Sequence, residues 1–383
     1  MRLAIITTHP IQYYAPLFKL LHQRGAIEIK VFYTWGESAM SKYDPGFDKQ
    51  VDWDIPLLEG YPYEWVENTA AKPGSHHRKG IVTPGLTAQV MAMQPDAVLI
   101  FGWAYSSHLQ AMRYFKNRIP VYFRGDSTLL DKQNKLKTLL KSLYLKRVYK
   151  NIDHAFYTGT NNKAYFKSFG LKDNQLTFAP HAVDNDRFSV VAPDQVTALR
   201  SNLNISEQDI LILYAGKFEE KKDPMLLVDA FLQLNRANCH LLMAGNGALQ
   251  SALKQKAKSA ANIHFMDFQN QSYMPVLFHT CDLFCLPSKG PGETWGLAVN
   301  EAMACGKPVL VSDKVGCAID LIKPGHNGAI FTSGNERDLL SHLTVLTSSK
   351  AQLKSLGENA GATIKNWSFT KITEAIENKL LNE

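Results

Sequence analysis

The chain has 383 residues, too many for one compact core and a natural length for two domains. With 45% hydrophobic and 20% charged side chains, Pro 17 and Gly 24, it is globular, which excludes a disordered or fibrous chain. Forty-two basic against 35 acidic side chains leave a formal +7, a mild preference for anionic partners that does not choose among them.

Leu3-Ala-Ile-Ile-Thr7 is a short apolar run, as a buried parallel strand requires. His9 and Gln12 interrupt it, so no secretory leader is expected. A helix is predicted from Pro16 to Arg24, stopped by Gly25, and a strand from Ile27 to Thr34. Residues 37–85 lose all periodicity, an irregular insertion of the kind that is functional or mobile. Its His76-His77-Arg78-Lys79 is read either as a contact for an anionic acceptor or as a solvated basic loop. Strands follow at Ala97–Phe101, Val121–Phe123, His154–Tyr157 and Leu176–Ala179. The longest apolar stretch, Ala97 to Tyr105, is about half the ~18 residues of a membrane helix. A cytoplasmic protein is expected.

Residues 113–150 hold eleven basic residues and two acids, Asp126 and Asp131, so the whole surplus of charge sits there. From Leu136 leucines, tyrosines and lysines mix at helical spacing. The stretch 131–150 is either a basic amphipathic helix for an anionic membrane surface or an ordinary helix with its apolar side in the core.

The second half restarts the alternation. Ile210–Ala215 is a strand, Asp223-Pro224 supplies an N-cap and first helical position, and Leu226, Leu227, Ala230, Phe231 and Leu234 form one apolar face. Strands follow at His240–Ala244, Asn262–Met266, Leu283–Leu286 and Pro308–Val311, and a last helix at Trp367–Asn382. The pattern predicts an α/β protein of two Rossmann-like domains with parallel sheets, 1–190 and 191–366, and a C-terminal helix at 367–383 packing back on the first. The five cysteines, all after residue 238, read as buried thiols of a reducing compartment, and Cys281 and Cys285 lack a second pair for zinc.

The most informative stretch is Pro287-Ser-Lys-Gly-Pro-Gly-Glu293-Thr-Trp-Gly-Leu-Ala-Val-Asn-Glu301-Ala-Met-Ala-Cys-Gly-Lys-Pro-Val309. A buried strand, a Gly/Pro loop and a helix starting near Trp295 would bring this loop to the carboxyl edge of a parallel sheet, where ligands sit. The helix start suits a diphosphate. A mostly helical offset of eight residues would put the two acids about 12 Å apart, fit to hold hydroxyls at opposite ends of one elongated ligand. The alternative is an acid complementing the helix dipole plus a surface glutamate.

This stretch resembles the Glu-x7-Glu signature of the retaining, GT-B-fold, family 4 glycosyltransferases, through the following Glu-Ala-Met-Ala-x-Gly-Lys-Pro-Val. Tyr214-Ala-Gly216-Lys217-Phe218 with Lys222 is similar to that family's donor phosphate loop, Ala244-Gly-Asn246-Gly247 to its second glycine loop, and Val183-Asp-x-x-x-Phe188 to the motif closing the first domain. Phe265-Met266-Asp-Phe268 stands where members line the base pocket.

The resemblance implies two facing domains with a cleft between them. It makes the chain a retaining, metal-independent, hexosyltransferase-type enzyme of cell-surface polysaccharide or glycoconjugate synthesis. It would move a sugar from a nucleoside-diphosphate sugar, UDP more than GDP, to a saccharide or lipid-linked acceptor. No cofactor is implied, because the nucleotide-sugar is a co-substrate, and no nucleic-acid partner is expected. Lys217 and Lys222 would neutralise the diphosphate, with Gly216 allowing close backbone approach. Glu293 would hold the donor sugar, Glu301 the ribose, Asn246, Gly247 and Met266 would line the nucleotide pocket, and the backbone from Thr294 through Trp295, Gly296 and Leu297 would cap the phosphates.

The first half departs from the family. Arg124 replaces a usual histidine and would bind phosphate or polarise a hydroxyl, since it stays protonated. Asp126 would then accept the proton, or the two form an ion pair that orders the loop. His9 is an acceptor ligand or a loop cap, with Gln12 beside it, and His181-Ala182 replaces an Asn-Gly. Two Asp-x-Asp triplets, Asp52-Trp-Asp54 and Asp184-Asn-Asp186, match a metal–nucleotide motif of another glycosyltransferase fold, and no metal role is expected of them. Rival readings are an epimerase or sugar phosphorylase on the same scaffold, or a basic nucleic-acid or membrane-binding protein with a degenerate catalytic domain. The intact Glu293, Glu301, Lys217 and Lys222 argue against degeneracy.

Overall fold

The computed structural model describes residues 1–40, 42–44, 49–75, 77–131 and 135–382. They form two compact units. One comprises 1–42, 55–181 and the segment from Phe369 onward; the other comprises 43–54 and 182–368.

The first unit is built on a seven-stranded, all-parallel sheet. In chain order its strands are β1 (Arg2–Thr7) and β2 (Glu28–Tyr33); then, beyond β3 (Lys42–Asp44) and β4 (Lys49–Val51), which make a separate two-stranded sheet, β5 (Tyr63–Trp65), β6 (Ala97–Phe101), β7 (Val121–Arg124), β8 (His154–Tyr157) and β9 (Leu176–Phe178). The spatial order is β5-β2-β1-β6-β7-β8-β9. Ile5 stands opposite Val31 on one side and Leu99 on the other. Leu3, Ala4, Ile5, Ile6 and Val98 to Ile100 are fully buried. A parallel sheet covered on both faces calls for such unbroken apolar runs, which is why these strands fall within a residue of their expected limits.

The insertion at 37–85 is more ordered than its composition predicts. It carries β5, and Asn68 staples its far end: the side-chain amide donates to Trp35 O and Gly80 O, and its oxygen accepts from the Ala70 and Val82 amides. Backbone bonds Thr69 N to Val82 O and Gly74 N to Gly80 O close the loop. His76 lies outside the described residues.

The second unit holds six parallel strands, β10 (Ile210–Ala215), β11 (Cys239–Ala244), β12 (Ile263–Met266), β13 (Leu283–Leu286), β14 (Val309–Ser312) and β15 (Gly328–Phe331), ordered β12-β11-β10-β13-β14-β15. β15 was not anticipated: Gly328 and three following residues give too short a signal. All five cysteines are buried and free.

Two boundaries shift. The first unit ends at His181, not near 190. Val183–Phe188 goes with the second unit because Asn185 donates to Ile364 O and Trp367 O, and Phe188 packs on Phe278. The last helix, Phe369–Leu381, returns to the first unit, where Arg24 makes a bidentate pair with Glu377. Asp223 precedes the helix Pro224–Leu234, yet it has left-handed backbone angles (φ 50°, ψ 46°) and caps nothing. Its carboxylate turns 3.5 Å from Lys289 Nζ instead.

Candidate functional site

In the second unit the loops leaving β10, β11, β12 and β13 meet at the carboxyl edge of the sheet. Backbone bonds join them: Gly216 N to Ala244 O, Phe218 N to Asn246 O, Gly245 N to Met266 O, and Lys289 N to Lys221 O, all between 2.8 and 3.0 Å. A methyl group on Gly245 would lie 2.0 Å from Gly216 O, so the second glycine loop is glycine to let the first pass over it. Gly216, assigned close backbone approach, meets only ordinary contacts from its own unit.

Asn246 holds the β11 side of this edge. Its amide donates to Asp267 Oδ1 (2.9 Å) and Gln250 Oε1 (3.2 Å), and its oxygen accepts from Phe268 N (2.6 Å). It therefore fixes the loop after the half-buried Met266. The Tyr214 hydroxyl donates to Lys217 O at 2.6 Å. Burial first, and then the charge of Glu293, push that phenol well above its ordinary pKa, so it remains a donor.

The centre of the site is Glu293. Its Oε2 accepts from the Lys222 ammonium and, at 2.7 Å, from Ser288 Oγ. The Glu293 and Lys222 side chains are 9% and 21% exposed. Ser288 is fully buried, and its carbonyl accepts from Ser312 Oγ on β14. A methyl on Gly316 would sit 1.8 Å from Thr294 O, and the Gly316 and Cys317 amides donate to Glu293 O and Trp295 O. The acid is thus carried on a backbone clamped from below. Ser288 and Gly316 were not singled out from the sequence; their role depends on loops that only the fold brings together.

The helix after this loop is Leu297–Ala304, two residues later than expected, with Gly296 at its N-cap. Only the second half of the Glu293–Glu301 interval is helical, so the distance worked for a mostly helical offset does not apply. Glu301 is 3% exposed, which removes the surface-glutamate reading. Beside it Trp295 Nε1 donates to Asn300 Oδ1 at 2.8 Å, and the Trp295 ring packs on Trp367.

The Asp-x-Asp triplets have structural partners. Asp184 Oδ1 caps its helix through Arg187 N, Asp54 accepts from the Ser272 amide and hydroxyl, and Asp52 O accepts from Asn270.

In the first unit a second constellation stands at the carboxyl ends of β1, β6, β7 and β9. Thr8 Oγ1 lies 2.9 Å from His9 Nδ1, and the His9 ring meets Trp35 edge-on at 5.0 Å. Gln12 is buried nearby in sequence, and Tyr14 stacks parallel to His181 while touching Phe101. Arg124 is only 1% exposed, and its guanidinium donates to Ala179 O and Pro180 O, both at 2.8 Å. This corrects its expected contact with a substrate phosphate or hydroxyl: it positions the segment that ends in His181. The sequence hid this because its partners are carbonyls 55 and 56 residues away. Asp126 is half-buried. His181 is buried, and loss of hydration lowers its pKa to about 4, with Asp126 raising and Arg124 lowering it. Tyr14 is raised by burial and by Asp126. A neutral imidazole and a protonated phenol therefore face each other here.

The family model "Glycosyl transferases group 1" matches residues 195–363. A Campylobacter jejuni N,N'-diacetylbacillosaminyl-diphospho-undecaprenol alpha-1,3-N-acetylgalactosaminyltransferase is 25% identical over 232 residues, 60% of each chain. A Corynebacterium glutamicum GDP-mannose-dependent monoacylated alpha-(1-6)-phosphatidylinositol monomannoside mannosyltransferase is 24% identical over 249 residues, 62% of this chain and 65% of that one. The matches thus span less than two thirds of these relatives. Among solved structures, Anabaena HepE in complex with UDP and glucose superposes with a TM-score of 0.73 at 17% identity, over all of both chains. Sucrose-phosphate synthase from Thermosynechococcus elongatus does so with 0.75 at 17%, over 100% of this chain and 98% of that one. Residues 195–363 are thus similar to the group 1 glycosyl transferases, in a chain whose two Rossmann-like units have the GT-B type of fold.

Proposed function

We propose that the protein transfers a sugar from a nucleoside-diphosphate sugar to an acceptor hydroxyl with retention of configuration. One observation carries the reading: a lysine and a glutamate meet at the carboxyl edge of the second sheet, clamped by Ser288 and Gly316 and surrounded by joined glycine loops. Fixed cations there suit a leaving diphosphate, and a fixed carboxylate suits sugar hydroxyls and the positive charge that grows as the glycosidic bond breaks. Lys217 and Lys222 take the diphosphate, Glu293 the sugar, Glu301 the ribose, and Asn246 with Met266 shapes the base pocket. The acceptor oxygen attacks the anomeric carbon from the face the phosphate leaves, and the departing phosphate oxygen takes its proton. The reaction needs neither a nucleophile from the chain nor a metal, because the two lysines supply positive charge. Uridine is favoured as the base, in keeping with the UDP bound by Anabaena HepE.

The acceptor is a saccharide or lipid-linked saccharide handled by the first unit through His9, Gln12, Asp126 and His181, in glycoconjugate synthesis at the cytoplasmic face of a membrane. No helix among the described residues is long and apolar enough to cross one. Peripheral contact is assigned to the helix Lys135–Tyr149. Leu145, Val148 and Tyr149 pack into the core, while Leu139, Leu140 and Leu143 are 57%, 61% and 53% exposed beside the exposed Lys146, Arg147 and Lys150. Apolar side chains among cations suit an anionic bilayer.

The test is thermal stabilisation by a panel of nucleoside diphosphates and their sugars. Selective stabilisation by one base is expected; no shift from any of them refutes the reading.

A further inference from the structure

A concave space of about 570 Å³ lies in the first unit, walled by Thr69, Lys72, His77, Lys79, Val82 and Ser106 together with Ala70 and Ala71. Its volume falls in the ordinary range of small-ligand sites, roughly 300–1,000 Å³. Its charge is one-sided: residues 68–95 contain Lys72, Arg78 and Lys79 with two histidines and no acid at all. Lys72 and Lys79 are exposed side chains of one wall, and their charges add over the same depression.

The wall is held in place. Asn68 bonds four backbone groups of this loop and its neighbours, Tyr105 Oη donates to Ser75 O, and Ser107 Oγ accepts from Thr83 N. Ile81 packs with Trp35, Ala39 and Tyr105. Trp35 is the residue whose ring meets His9, so the basic loop is fastened to the same strand-end edge as the acceptor-side constellation. Ser106 begins the helix after β6, and Thr69 follows β5, which puts the pocket beyond the carboxyl ends of those strands.

We infer that the pocket walled by Lys72, His77 and Lys79 binds the phosphate or diphosphate of a phosphorylated acceptor. The inference rests on the glycosyltransferase reading for the word acceptor, and on the pocket alone for the anion. Lys72 and Lys79 supply charge, while the Thr69 and Ser106 hydroxyls line the same wall. Anchored there, an acceptor offers its hydroxyl toward the His9 edge with its phosphate already neutralised, which suits sugar phosphates and lipid diphosphates equally.

Calorimetric titration with inorganic pyrophosphate tests it, using Lys217→Ala/Lys222→Ala protein so that the donor loop's two lysines do not contribute. That protein should bind pyrophosphate, and adding Lys72→Ala and Lys79→Ala should weaken binding by at least about tenfold. Both lysines are exposed, so circular dichroism and melting should be unchanged. Farnesyl diphosphate binding more tightly than pyrophosphate, with the same dependence on the two lysines, identifies a lipid-linked source. Glucose 1-phosphate matching pyrophosphate identifies a soluble one. Absence of binding, or equal binding without the two lysines, overturns the inference. UDP provides the separate arm: its affinity for the Lys72→Ala/Lys79→Ala protein should stay within about twofold of wild type. A wild-type chain that binds pyrophosphate through the two lysines but never binds UDP sinks the donor reading and leaves the anion pocket standing.

Discussion

The contact between Lys222 and Glu293 yields a prediction in which two neighbouring substitutions act in opposite directions on nucleotide affinity. On the proposed reading, the lysine that meets the diphosphate is paired in the structure with the carboxylate that meets the sugar. For UDP to take the ammonium, that pair must open, leaving Ser288 Oγ as the acid's other donor. Lys222→Ala removes a charge-assisted contact to phosphate, worth about 1.5–3 kcal/mol, and should weaken UDP by roughly ten- to a hundredfold. It also leaves a carboxylate with 9% side-chain exposure short of its cation. Fully buried pairs lose about 3–5 kcal/mol when broken; with the lysine partly exposed and the serine still donating, about 1–2 kcal/mol is expected here. Glu293→Gln keeps the shape and releases the lysine, so UDP affinity should hold or rise by up to about tenfold while turnover falls at least about a hundredfold. Calorimetry with UDP on both variants, and turnover with a nucleotide-sugar, decide it. If Glu293→Gln weakens UDP as much as Lys222→Ala does, the lysine is not the diphosphate ligand and the pair is structural.

Three other substitutions test the joined loops and the first unit. Asn246→Ala strips two side-chain donor contacts and the acceptor for Phe268 N; it should cost about 1–3 kcal/mol in denaturant unfolding and weaken nucleosides more than inorganic pyrophosphate. Gly245→Ala forces a methyl to 2.0 Å from Gly216 O, so it should lower both melting temperature and UDP affinity. Burial lowers the pKa of His108 to about 4, although its contacts to Phe101 O and Gly102 O raise it. The unfolded chain, with its histidine near 6.5, binds the proton first, so this contribution is complete above pH 6.5 and is lost as pH falls from there toward 4, by roughly 3 kcal/mol at most. Urea unfolding of the first unit at pH 7 and pH 4.5 should show it, and His108→Asn should flatten that dependence; an unchanged slope would disprove it.

Legibility followed the range of the interactions. β1, β6, β10 and β13 were readable because a strand buried on both faces needs nothing but its own apolar run. β5 was not, since an exposed edge strand of three residues leaves no periodicity to read. Glu293, Glu301 and the two lysines were readable as types in a motif, but their pairing was not. The motif assigned Lys222 and Glu293 to separate parts of a ligand, whereas the structure pairs them with each other. The glycines follow the same rule: Gly245 and Gly316 are required by the backbone at Gly216 and Thr294, 29 and 22 residues away in sequence. Arg124 sharpens the point. At the place of a family histidine it invited a role on the substrate, and chemistry alone allowed that. Its burial and its two carbonyl partners confine it to shaping the turn into His181. On the proposed reading, the group that acts on an acceptor hydroxyl is beside it and not on it: the half-buried Asp126, or His9 just after β1. A substitution of Arg124 should accordingly disturb folding of the first unit before it changes any pH profile of turnover, and Asp126→Asn should do the reverse.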